Sequence, residues 1–271
     1  MGAFLEYEFL QRALLMAVLA GSICGAMGVF VVLWRMSLVG MCISHASFAG
    51  ALVGLWLGFP PLGGGIIASL GAASLVGPLA DRPGFNLDTA MGVIFSVVMS
   101  LAMLALGLLP GARTEGLSLI WGNLLTVTAV DIQLMAFTGV VLFLFIFVFF
   151  KEIQAIIGQK KAAIAAGVPA RAIHYATLII MGLVVAFALK AVGGLLIYSM
   201  IVTPAAAALQ LTYSLGRMFV FSALTGAVSS AFGLWLSFHL SLPPGAAIVL
   251  VAALLLTVVM FFSPKKNSTG L

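Results

Sequence analysis

The sequence predicts an all-α, polytopic membrane protein of about nine transmembrane helices plus a short re-entrant or interfacial helix. Three observations lead there: 63% of the 271 residues are hydrophobic, only 7% are charged, and those few charges divide the chain into apolar stretches of bilayer length. A water-soluble domain carries about 25% charged residues, so soluble classes are excluded. Disorder needs low hydrophobicity and high net charge, and is excluded too. The net charge of +5 is not a nucleic-acid signature, because the cations lie between apolar spans rather than in a cluster. Glu6 and Glu8 precede the first cation, unlike the basic start of a signal peptide, so the first apolar stretch is expected to stay as a helix. Cys24 and Cys42 both sit inside apolar runs and suggest neither a disulfide framework nor a paired zinc motif.

A spanning helix needs about 20 apolar residues. The intervals Arg12–Arg35, Asp88–Arg113, Asp131–Lys151, Arg171–Lys190 and Lys190–Arg217 enclose 22, 24, 19, 18 and 26 uncharged residues, one helix each. Arg35–Asp81 and Arg217–Lys265 are of double length, each broken near its middle by a proline pair, Pro60-Pro61 or Pro243-Pro244. Proline lacks the N–H that a helix interior requires, so each splits in two. Nine spans result. The 15 residues between Glu115 and Asp131 are too few to cross and read as the re-entrant or interfacial half-helix. Runs such as Val140–Phe150 lack the apolar–polar alternation of a membrane barrel.

Placing the C-terminal tail, about 263–271, in the cytoplasm puts nine cations inside and leaves Arg12, Arg113 and Lys190 outside. That satisfies the positive-inside rule. Gly50, Gly54 and Gly58 recur every fourth residue on the second span, and Gly21 and Gly25 repeat the spacing on the first. Such faces let helix backbones approach closely in lipid, and packing within one subunit is the expected use.

Catalytic signatures are missing. The chain has no G-x-x-x-x-G-K-[ST] phosphate loop, no H-E-x-x-H and no G-x-S-x-G elbow. No span has an interior Asp or Glu to relay protons or couple ions. Uphill work would draw on a partner.

The most informative segment is Ser37-Leu38-Val39-Gly40-Met41-Cys42-Ile43-Ser44-His45-Ala46. With Arg35 at the membrane edge, a rise of ~1.5 Å per residue puts His45 about 15 Å deep, at the bilayer midplane. An ionisable group there is costly and marks a functional site by default. Helical spacing groups Ser37, Met41, Ser44, His45 and Phe48 on one face, opposite Gly50, Gly54 and Gly58. Neutral imidazole is a common metal ligand, and Met41 lies one turn earlier. The alternative is a histidine bonded to a neighbouring backbone. Cys42 is one residue off that stripe and reads as apolar filler or a soft ligand. His174 and His239 fall at span edges and read as interfacial.

The interval Lys151–Arg171 reads as a basic cytoplasmic loop ending in a short Ala-rich helix that Gly167 and Pro169 stop. It suits either anionic lipid or a cytoplasmic subunit. Pro204 should kink its span, with Thr203 available to satisfy the freed backbone groups. Broken helices commonly line transport paths.

At these residues the chain resembles the membrane permeases of bacterial ABC importers for zinc, manganese and chelated iron (the ABC-3 type). Four segments carry the resemblance: Arg35-Met36-Ser37-Leu38-Val39-Gly40 with Ser44-His45-Ala46, Leu119-Ile120-Trp121-Gly122-Asn123-Leu124-Leu125, Ala163 through Gly167, and Val192-Gly193 through Thr203-Pro204-Ala205-Ala206. With matching span lengths it covers nearly the whole chain. The resemblance implies that residues 1–271 form a single transmembrane permease domain of the bacterial inner membrane, with no enzymatic activity of its own. It implies a homodimer, two cytoplasmic ATP-binding subunits that dock at Ala163–Gly167, and an extracytoplasmic metal-binding protein. The implied cargo is a divalent transition metal, zinc foremost, then manganese or iron, and no cofactor is held permanently. In the family an Asp commonly stands four residues before this His, and the pair is thought to contact the passing metal. His45 matches; Met41 occupies the Asp position, which replaces a hard oxygen by a soft thioether. Gln159 and Lys161 stand where docking segments of the family are usually acidic. Alternative readings are a permease for a metal chelate, siderophore or organic cofactor, and, from another class, a passive metal channel or an intramembrane enzyme.

Overall fold

The computed structural model describes residues 7–109, 116, 119, 122–194 and 196–263, without the side chain of Leu125. The described residues form ten α-helices and no strand: α1 (Glu8–Leu33), α2 (Ser37–Leu57), α3 (Pro61–Ala80), α4 (Leu87–Leu108), α5 (Ala129–Val148), α6 (Phe150–Ala165), α7 (Ala170–Val192), α8 (Ile197–Leu211), α9 (Leu215–Leu240) and α10 (Pro244–Phe261). Eight of these are long and apolar enough to cross a membrane; α8 is the shorter, apolar exception. Each of the nine expected stretches therefore holds one helix.

The proline pairs act as expected. Pro61 and Pro244 each occupy the first turn of a new helix, where the missing N–H removes no bond. Gly58, read as part of a packing face, instead ends α2 in the left-handed conformation at φ 76°, where a Cβ would meet no neighbouring helix. The segment 151–171, expected as a loop, is mostly α6. Its backbone leaves helical geometry only at Gln159 (φ −146°, ψ 95°), so two short helical pieces meet at a kink. Ile153, Ile156 and Ala163 are buried and hold it against the bundle. Residues 264–271 of the expected tail lie outside the described residues.

Two layers pack side by side. One holds α2, α3 and α4; the other holds α1, α8, α9 and α10; α7 touches both and α5 leans on α1 and α7. Glycine sets the spacing. A Cβ on Gly21 would overlap the Gly226 carbonyl of α9, and one on Gly28 would overlap the Ile201 carbonyl of α8. Ser222 Oγ donates to the Gly25 carbonyl at 2.5 Å, a polar contact across the same α1–α9 seam. Gly50 meets Gly64 of α3 in the same manner. Large apolar side chains on the outer faces, such as Phe147 at 82% and Leu250 at 67% exposure, suit acyl chains.

Gly28→Leu should force α1 off α8. The expected loss is roughly 2–3 kcal/mol of stability from overpacking, read as a lower midpoint of unfolding in mild detergent. An unchanged midpoint would mean that the α1–α8 contact is looser than described.

Candidate functional site: an imidazole beside a broken helix

His45 lies near the middle of the 21-residue α2 and is only 8% exposed. Its Nδ1 is 2.9 Å from the carbonyl oxygen of Met41, one turn earlier. A carbonyl only accepts, so Nδ1 carries the proton and donates. In the tautomer that this contact selects, the ring presents the Nε2 lone pair, the atom a metal takes, and no described hydrogen bond engages it. Phe95 of α4 stands edge-on to the ring, with centroids 5.1 Å apart at 72°. The ring therefore points towards α4, whose exposed surface sets the small Gly92, Ser96 and Ser100 beside the bulky Val93, Val97, Leu101 and Leu104.

The predicted polar stripe is only partly present. Ser44 is fully buried and its hydroxyl donates to the same Met41 carbonyl at 3.0 Å, so it offers nothing to a passing ligand. Met41 remains half-buried on the His45 face, while Cys42 and Cys24 are buried in the core. Among the described residues no three His, Cys, Asp or Glu side chains gather as a metal cluster. His174, in the first turns of α7, packs on Trp34 at 5.3 Å, and His239, in the last turn of α9, packs on Trp235 at 4.6 Å. Neither touches His45.

Next to His45 the structure places an interruption that the sequence reading had not joined to it. α7 stops at Gly193 (φ 91°), and α8 starts again only at Ile197. This break explains why the Lys190–Arg217 interval, long enough for a full span, yields a 15-residue helix. A Cβ on Gly194 would press on Phe48 of α2, one turn beyond His45. The opened backbone is met by the predicted half-helix interval. Gly194 N–H donates to the Leu119 carbonyl at 3.0 Å, and Asn123 N–H donates to the Lys190 carbonyl at 2.9 Å. Gly122, at φ 72°, lies so close to the Val192–Gly193 peptide that no side chain would fit. Of that interval, residues 117, 118, 120 and 121 lie outside the described residues; Gly116 and Leu119 are helical and a 3₁₀ turn covers Leu124–Thr126.

An ion pair closes this arrangement. Lys190 Nζ donates to Asp131 Oδ2 at 2.7 Å, and the same oxygen accepts from Thr128 N at 2.8 Å and Thr128 Oγ1 at 2.7 Å. Thr128 Oγ1 in turn accepts from Asp131 N, so the pair sits on a capping box at the start of α5. Both charges had served only to delimit spans. Their opposite signs at span ends predicted to share one side of the membrane were the unused signal.

Thr203 and Pro204 divide between two environments. Pro204 is buried, facing Gly25 of α1, and α8 continues through it. Thr203 is half-exposed, and its hydroxyl lies 3.2 Å from Ser199 Oγ instead of satisfying a freed carbonyl as expected. The half-exposed side of α8 thus carries Ser199, Thr203 and Gln210, an unusual surface to turn to lipid. At the far end of α6, Gly167 (φ 85°) reverses the chain, with Gly167 N–H donating to Ile164 O and Val168 N–H to Ala163 O, both at 3.0 Å. This is the hydrogen-bonding of a glycine C-cap. It buries Ala163 and leaves Ile164 52% exposed, so the outward apolar residue of this tip is Ile164, which the sequence reading passed over.

The comparisons agree over nearly the whole chain. A family model described as the ABC 3 transport family matches residues 6–263. The chain is 32% identical over 265 residues to the manganese transport system membrane protein MntC of Halalkalibacterium halodurans, covering 97% of this chain and 90% of that one. It is 29% identical over 248 residues to the chelated iron transport system membrane protein YfeD of Yersinia pestis, covering 90% and 82%. Its fold superposes on a chain of PsaBC from Streptococcus pneumoniae, solved in complex with a Fab, with a TM-score of 0.88 at 32% identity over 98% and 96% of the two chains. The resemblance first read from four segments thus extends along the sequence and the fold, and the chain belongs to the ABC 3 transport family of membrane transport proteins.

Proposed function

We propose that the chain is the membrane permease subunit of an ATP-driven importer for divalent transition-metal ions, and that the ion passes His45 at the bilayer midplane. The observation that carries this reading is the imidazole itself: Nδ1–H is held by the Met41 carbonyl, which leaves Nε2 as a lone-pair donor beside a broken helix. One imidazole makes a weak site, and conduction requires release as well as entry. The Gly92–Ser96–Ser100 stripe of α4 and the Ser199–Thr203 side of α8 offer small, hydrogen-bonding groups that suit contact with a second copy of the chain. Homodimerisation would close the His45 region from the lipid.

Manganese replaces zinc as the foremost substrate, because relatives at 32% identity are named for manganese. Met41 pulls the other way. A thioether in place of a carboxylate favours softer metals, so the balance between manganese and its softer competitors is the property of this site to measure. A chelate is the second reading, favoured by the likeness to the chelated-iron protein.

The basic side of the bundle is assigned to the bacterial cytoplasm, with the C-terminus there. A separate ATP-binding subunit docks on the α6 tip from Ala163 to Gly167, where Ile164 provides the apolar contact. An extracytoplasmic metal-binding protein delivers the ion at the Asp131–Lys190 side.

The deciding experiment is ATPase stimulation of the reconstituted complex by manganese, iron, cobalt and zinc, free and chelated. Stimulation by chelates alone would favour the second reading. His45→Ala should reduce uptake at least tenfold while the subunits still assemble; undiminished uptake removes His45 from the path. Met41→Asp should move preference towards manganese in a competition assay. Ile164→Glu should weaken association with the ATP-binding subunit, measured by co-purification, with the permease still folded.

A further inference from the structure

Away from His45, α5 and α9 both pack on α1 but scarcely on each other. Between them runs a groove of about 900 Å³, with Phe143, Ile146 and Phe147 on one wall, Phe219 and Ala223 on the other, and Lys151 at its mouth. Its floor is solid: Phe219 is 5% exposed, and its ring lies 5.3 Å from Phe30 of α1. The helical part of that wall, Phe143 to Val148, rises about 7.5 Å at ~1.5 Å per residue, and the chain then turns at Phe149 before Lys151. One leaflet of hydrocarbon is about 15 Å deep, half of a ~30 Å core. The groove therefore fits within one leaflet, with Lys151 at its basic end.

We infer that this groove is a binding site for one anionic phospholipid, its acyl chains against the Phe walls and its phosphate at Lys151 and Arg217. Lys151 and Arg217 are exposed at the start of α6 and the first turn of α9, and neither belongs to an ion pair among the described residues. Glu152 also lines the groove beside Lys151 and offsets it. Arg217, the residue after the groove-lining Gly216, brings the local balance to one net positive charge, which selects an anionic headgroup over a zwitterionic one. A helix from a second chain fits less well. Transmembrane helices associate through small or hydrogen-bonding faces, whereas these walls are Phe, Ile and Val with only Gly216 and Ala223 small. The α5–α6 elbow forms part of the site: Phe150, the first residue of α6, lines the groove, and its ring is 3.6 Å from where a side chain on Gly216 would begin. Occupancy braces that elbow.

The test compares phosphatidylglycerol with phosphatidylcholine on the purified full chain in detergent, by native mass spectrometry and thermal unfolding. Wild type should retain phosphatidylglycerol at least tenfold better than phosphatidylcholine and unfold several degrees higher with it. Lys151→Gln with Arg217→Gln should abolish the headgroup preference, and Ala223→Trp, which fills the groove, should abolish retention of both lipids. Retention indifferent to headgroup, or unmoved by either variant, overturns the assignment. So does efficient disulfide formation between copies carrying Phe147→Cys in liposomes, because a second chain would then cover the groove.

Discussion

A backbone group without a partner inside hydrocarbon costs several kcal/mol, and the fold around His45 is organised by that constraint. Where α7 gives way to α8, the helical ladder is open at Gly193 and Gly194. The segment containing Leu119 and Asn123 is itself too short to span, and its own amides need partners. Each interruption answers the other: Gly194 donates to Leu119, and Asn123 donates to Lys190. Gly122 permits the approach, since the peptide it faces leaves no room for a Cβ. The Lys190–Asp131 pair then anchors both elements to α5. Irregular backbone at this depth persists because it is lined by protein rather than lipid.

The candidate site depends on the same arrangement. Phe48 wedges against Gly194, so the rotation of α2 about its axis is tied to the break, and with it the direction of the His45 ring. The ring is held a second time by the Met41 carbonyl. A free imidazole chooses between two tautomers; this one is assigned by its neighbour. What the subunit contributes is an oriented donor atom and a loosened helix, not a closed cage. On the proposed reading that suits a pathway, where residence must be short.

Much of this was legible before any coordinates. Span number and boundaries followed from charge spacing and two proline pairs, because lipid admits so few ways to place a charge. His45 stood out for the same reason. The α1 glycines were read correctly as a packing face, yet Gly58 was assigned to one wrongly: a repeat of four does not distinguish a contact from a helix terminus. The loop from 151 to 171 proved helical because Ile153, Ile156 and Ala163 reach back to the bundle, a weak apolar pattern hidden among lysines. Ser44 looked available on a helical wheel, but a serine hydroxyl readily bonds its own helix carbonyl. The joining of 119–123 to the α7–α8 break was illegible, since it rests on main-chain bonds between segments about seventy residues apart, and main-chain bonds leave little trace in side-chain identity.

The glycine contacts of α1 carry a mechanical consequence. Gly21, Gly25 and Gly28 set its backbone directly against carbonyls of α9 and α8, with no flexible side chain between to absorb a shift. A close-packed interior has low compressibility, so these three helices cannot slide past one another by fractions of a turn. They form a girder. On the proposed transport reading, alternation of access would tilt that girder as one piece rather than shear it.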